Sequence, residues 1–157
     1  MQAQSPELGA KASAPAQPPA DLARLMKGIV FASANVFFAA QSDDPAAIKP
    51  DAKPAVSPNL LTSTFGKWEA VENSALALAE SASLLTLAGR RCSNGAEVPV
   101  KNAEWERLVA QLREAGMIAF KAAQSRNQDN VLGAAETVTT ACSSCHARYR
   151  EKANRCR

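Results

Sequence analysis

Residues 129–149 read DNVLGAAETVTTACSSCHARY, and two signals are superposed in them. Val131, Leu132, Ala135, Val138, Cys142, Cys145 and Tyr149 recur at helical spacing, which predicts a helix that starts around Asp129 and turns this stripe inward. Its last turns hold Cys142, Cys145 and His146, in the Cys-x-x-Cys-His order that attaches a c-type haem. Residues three and four apart share a helix face, so two thiols and one imidazole can address a single macrocycle. His146 is the only histidine of the 157 residues. Gly133 and the β-branched stretch 137–140 weaken the helix intrinsically, so packing against other helices must hold it.

Three plainer readings stand beside haem attachment. A structural zinc site needs four ligands, and only Cys92 or Cys156 is left to complete Cys142, Cys145 and His146. A redox-active Cys-x-x-Cys calls for a βαβ setting, whereas nothing nearby reads as strand. The third reading is a pair of buried structural cysteines with no cofactor.

Working outward, three further helices are expected. The first opens at Asp21, an N-cap after Pro18 and Pro19, and carries Leu22, Leu25, Met26, Ile29, Val30, Ser33, Val36, Phe37 and Ala40 inward, with Phe31 and Phe38 widening the stripe. A proline-punctuated connection over 41–57 follows, expected to cross one end of the fold. The second helix starts near Pro58 and turns Leu61, Phe65, Trp68, Val71, Ala75, Leu78, Ala82 and Leu85 inward before stopping at Gly89. The third is capped by Asn102 and presents Trp105, Leu108, Val109, Leu112, Gly116, Ala119 and Ala123. With the helix at 129–149 this predicts an all-α, antiparallel up-down-up-down four-helix bundle, with haem attached near the C-terminus. The two tryptophans follow core periodicity and are read as packing. Residues 1–20, with four prolines, read as a tail, and 21–157 as one domain.

Composition narrows the function. A net charge of +3 does not by itself point to nucleic acid. Arg148, Arg150, Lys152, Arg155 and Arg157 concentrate positive charge at the C-terminus, suited to an acidic redox partner or to a helix dipole. No run of about 18 apolar residues marks a membrane span, because Ser33 and Asn35 interrupt the most apolar stretch. Met1 is not followed by a basic and then apolar leader. Since haem c implies export, the chain is expected to be a mature periplasmic form. The two cysteines outside the motif, Cys92 and Cys156, form an even remainder, which suggests a disulfide. In an up-down order both lie at the end where the second and fourth helices exit; the alternative is two free thiols.

The C-terminal run from Cys142 to Lys152, together with Leu25-Met26-Lys27 in the first helix, resembles the class II c-type cytochromes, the cytochrome c′ and cytochrome c-556 family. The resemblance covers about residues 22–152. It implies one covalently attached haem c, with His146 as proximal iron ligand, and an electron carrier rather than an enzyme, with redox proteins as partners. In c-556-type members a methionine set like Met26 is the sixth ligand. In cytochrome c′ the distal side chain is apolar and does not coordinate, and the five-coordinate iron binds NO or CO. Tyr149 and Arg150 fall where the family commonly has an aromatic and a basic residue, so Arg150 is a candidate contact to the haem face or a propionate, against a solvated charge at the helix end. The absence of a second histidine excludes bis-histidine ligation within one chain. The family's homodimer, formed through the first two helices, stays open for this chain, whose proline-rich connection and Cys92/Cys156 pair are not general family features.

Overall fold

The computed structural model describes residues 17–150 and Cys156. The tail expected at 1–20 therefore falls outside the described residues up to 16, as do Lys152, Arg155 and Arg157 of the basic run. The described residues are all-helical apart from turns and one isolated bridge between Arg91 and Glu97, and four helices pack together as a bundle. We number them α1 (Leu22–Ala39), α2 (Lys67–Leu84), α3 (Ala103–Gln124) and α4 (Gln128–Tyr149). Helix α2 packs on α3, α3 on α4, and α1 mainly on α2.

Capping side chains set the starts of α1, α3 and α4. Asp21 Oδ1 accepts from the Arg24 N–H at 2.7 Å, and Asn102 Oδ1 from Glu104 and Trp105 N–H at 2.8 and 3.3 Å. Asn127 does the same for Asn130 at 3.1 Å, so α4 starts at Gln128 rather than Asp129.

Helix α1 departs from the expected stripe at one place. Over Met26–Val30 it is wound as a π-turn, in which the Phe31 N–H bonds to the Met26 carbonyl five residues back. The extra residue lets Leu22, Leu25, Val30, Ala34 and Phe37 all be buried. Val30 thus takes the inward place that a 3.6-residue period gives to Ile29, which is 39% exposed; Phe31, expected to widen the stripe, is 62% exposed. The 18 residues of α1 have a mean hydropathy of 1.4, long and apolar enough by composition to cross a membrane even though Ser33 and Asn35 interrupt them. One side of the helix packs in the core, while Arg24 and Lys27 are exposed on another.

The second helix begins at Lys67, nine residues later than Pro58. Residues 57–66 instead close on themselves through short side chains that compete with helix formation. Asn59 Oδ1 accepts from the Leu61 N–H at 3.0 Å, the Ser57 and Thr62 hydroxyls meet at 2.9 Å, and Leu60–Thr62 is a single 3-10 turn. Leu61 is buried there as expected, whereas Phe65 is 64% exposed, because it precedes the helix that was to turn it inward. The helix also ends at Leu84, short of Gly89, which has a φ of +80° in the following turn.

Small residues let α2 and α3 approach closely. A Cβ at Gly116 would stand 2.6 Å from the Ala79 nitrogen and 2.8 Å from its Cα. On α4, Val131, Ala134, Ala135, Val138 and Ala141 are buried, while Leu132, expected inward, is 44% exposed.

The core falls into two clusters. One holds Val30, Phe37, Leu61, Trp68, Leu78 and Val138 among others; the second holds Leu22, Leu25, Leu85, Cys92, Trp105 and Leu112. Met26 of α1 and Cys142 of α4 border both.

Candidate functional site

Helix α4 continues unbroken to Tyr149, so Cys142, Cys145 and His146 lie within little more than one turn of one helix. Their setting differs from that of the same helix further up. The inward stripe is fully buried from Val131 to Ala141, but Cys142, Cys145, His146 and Tyr149 are each only partly covered by the rest of the chain. The motif thus occupies the part of the stripe that the rest of the chain covers least.

Burial pushes the Cys142 thiol above its ordinary value. Burial, reinforced by the neighbouring Cys142, pushes Cys145 up to about 11. Both are therefore protonated thiols at neutral pH. A redox-active Cys-x-x-Cys needs the opposite shift.

Met26 is half-buried on α1, at the junction of the two clusters that Cys142 also borders. Met26 and Cys142, from opposite ends of the sequence, therefore both lie along the seam where the two clusters meet. Arg150 is exposed at the C-cap of α4, where its N–H donates to the His146 carbonyl at 2.9 Å.

The last turn of α4 is fastened to the first turn of α3. The rings of Tyr149 and Trp105 meet edge to face with centroids 4.9 Å apart, and the Trp105 indole N–H donates to the Leu85 carbonyl at 3.1 Å. Arg148 Nε donates to Glu104 Oε2 at 2.9 Å. Burial is the main cause that raises the Tyr149 hydroxyl, with Glu104 adding to it. Cys92 and Cys156 are brought to disulfide distance at this same end, their Cα atoms 4.7 Å apart, beside the Trp105 cluster. The two cysteines on which a zinc site would draw for its fourth ligand are thus paired with each other. Among the described residues no three His, Cys, Asp or Glu side chains converge as a set for a metal ion.

A groove of about 420 Å³ between α3 and α4 is lined by Gln111, Glu114, Ile118, Glu136, Thr140 and Ser144 among others, and none of the motif cysteines or His146 faces it. Sequence reasoning missed Arg90, a buried guanidinium between the second and third helices. Its neighbours Gly89 and Arg91 give no hint that it turns inward. No family model matches the chain, and no curated protein or solved structure matches it either.

Proposed function

We propose that the chain is a monohaem c-type cytochrome that carries electrons in the periplasm, built as an up-down-up-down bundle with its haem on α4. The observation that supports this most is the arrangement on one half-covered helix face of Cys142, Cys145 and His146, with Met26 at the same seam. A bound haem would supply an iron that passes between ferrous and ferric states. The chain's own part is to hold and shield. Cys142 and Cys145 would hold the haem covalently, each thiol adding across a vinyl group with its proton going to the other vinyl carbon, so that no oxidant would be needed. His146 on α4 and Met26 on α1 would hold the iron. A thioether in place of a second imidazole raises the reduction potential, as suits a carrier.

Arg150, four residues beyond His146, is assigned to the proximal edge or a propionate. Redox proteins are the partners, and the protein is not assigned an enzymatic activity. The same packing of Met26 against both clusters also supports a second reading, in which that side chain only fills space and the iron, five-coordinate, would bind NO or CO. Optical spectra of the holoprotein and of Met26→Ala decide between them. The expected result is narrow low-spin α and β bands on reduction, lost in Met26→Ala while haem stays covalently bound. An identical spectrum in both proteins assigns Met26 to packing. A protein with no Soret band after maturation in the periplasm removes both haem readings and returns the site to zinc or to plain thiols.

A further inference from the structure

We propose that Arg90 is the positioning residue for Met26: it fixes the start of α1 and so holds the distal side of the seam in register with α4. The inference rests on the haem reading above.

Arg90 is 4% exposed, the only buried Arg, Lys, Asp or Glu among the described residues. Among those residues it has no ion pair. Its acceptors are two backbone carbonyls from distant parts of the chain: Nε donates to Leu84 at 3.2 Å, and Nη1 to Ala20. Leu84 is the last residue of α2, and Ala20 immediately precedes the N-cap of α1. The guanidinium therefore joins the C-terminal carbonyl end of one helix, where a cation is favoured, to the entry of another. Its planar fork, with donors pointing in fixed directions, suits this better than a flexible ammonium does. The next residue adds a backbone link, since the Leu22 N–H donates to the Arg91 carbonyl at 2.8 Å. Desolvating a cation is costly, so burial at this point requires a return elsewhere in the fold.

That return is the fixed position of the first turns of α1. Between Ala20 and Met26 lie only Asp21 and Leu22–Leu25, whose Leu22 and Leu25 are buried in the second cluster. Beyond Met26 the helix widens into the π-turn, whose Lys27, Gly28 and Ile29 are exposed. The Met26 side chain is thus held from its N-terminal side. At the other end of α1 the Gln128 amide donates to the Ala40 and Gln41 carbonyls at 3.0 and 3.2 Å, which ties that end directly to α4. Arg90 is the corresponding fastener at the end where Met26 lies.

The test uses the full-length holoprotein with Arg90→Met, Arg90→Lys and Met26→Ala. Three readouts are taken: covalent haem content, the near-infrared thioether-to-ferric charge-transfer band, and CO affinity of the ferrous form. Arg90→Met is expected to keep its haem, lose much of the charge-transfer band and bind CO roughly tenfold more tightly, approaching Met26→Ala. Arg90→Lys, which keeps one donor and the charge, is expected to fall between. If Arg90→Met proves too unstable to mature, Arg90→Lys carries the test by the same readouts. Wild-type spectra and CO affinity in the variants, with only a lower melting temperature, would show a purely structural role and overturn the proposal. A wild-type spectrum in Met26→Ala overturns it by removing the ligand through which Arg90 acts. Wild-type protein without covalent haem overturns the haem reading itself, a result distinct from either.

Discussion

At Cys145 burial acts on the chemistry directly. A thiol pushed up to about 11 leaves a very small thiolate fraction at neutral pH. In haem-free protein the alkylation rate of Cys145 is therefore expected to rise about tenfold per pH unit between pH 7 and 9, since only the thiolate reacts and the titration lies well above that window. Iodoacetamide kinetics followed by peptide mass spectrometry check this. A rate that is already level at pH 7 would instead mark a lowered thiol, as a disulfide oxidoreductase requires.

Between helices, the contact that tolerates least is the one between α2 and α3 at Ala79 and Gly116. Any Cβ at Gly116 would sit inside van der Waals contact with Ala79 backbone atoms, which cannot swing away as a side chain tip can. Gly116→Ala is thus expected to destabilise by about 1–3 kcal/mol, although alanine is the better helix former. Chemical denaturation would show this, and Gly133→Ala, which meets nothing within 4 Å, is the control expected to stabilise slightly. Gly116 was legible from sequence as an inward position, but its close approach to Ala79 was not. The same division runs through the other elements. Asp21 and Asn102 could be read as caps because capping depends on three neighbouring residues. The π-turn could not be read, because a fixed period has no place for one additional residue, and this is why Ile29 was expected inward. The late start of α2 was missed because Ser57, Asn59 and Thr62 bond locally and outcompete a helix for which Pro58 is a plausible first residue. The site divides likewise. Cys142, Cys145 and His146 are adjacent in sequence and legible at once, whereas the shared border of Met26 and Cys142 with both clusters, and the burial of Arg90 against carbonyls 6 and 70 residues away, exist only once the chain is folded.

Across the whole molecule, the second cluster, around Trp105, is where the chain's distant parts converge. The entry of α1, the exit of α2, the start of α3 and the end of α4 all meet around Trp105, with Cys92 and Cys156 closing the set. This end also carries the half-covered stripe of His146 and Tyr149 at the exit of α4, where a helix terminus frays most readily. A disulfide across 64 residues of sequence removes loop-closure entropy from the unfolded chain, a stabilisation of roughly 4 kcal/mol by the chain-entropy argument. Cys92→Ser with Cys156→Ser is therefore expected to unfold several degrees lower. The loss should also be local: amide hydrogen exchange should quicken over residues 143–150 while residues 131–141, whose inward stripe packs in the first cluster, keep their protection. Non-reducing peptide mapping of the freshly isolated protein should first recover the peptides of Cys92 and Cys156 as a joined pair. Free, alkylatable thiols at both positions would sink the idea, and uniform acceleration of exchange along α4 in the double variant would show that the two clusters unfold as one unit rather than as a body and a separately fastened end.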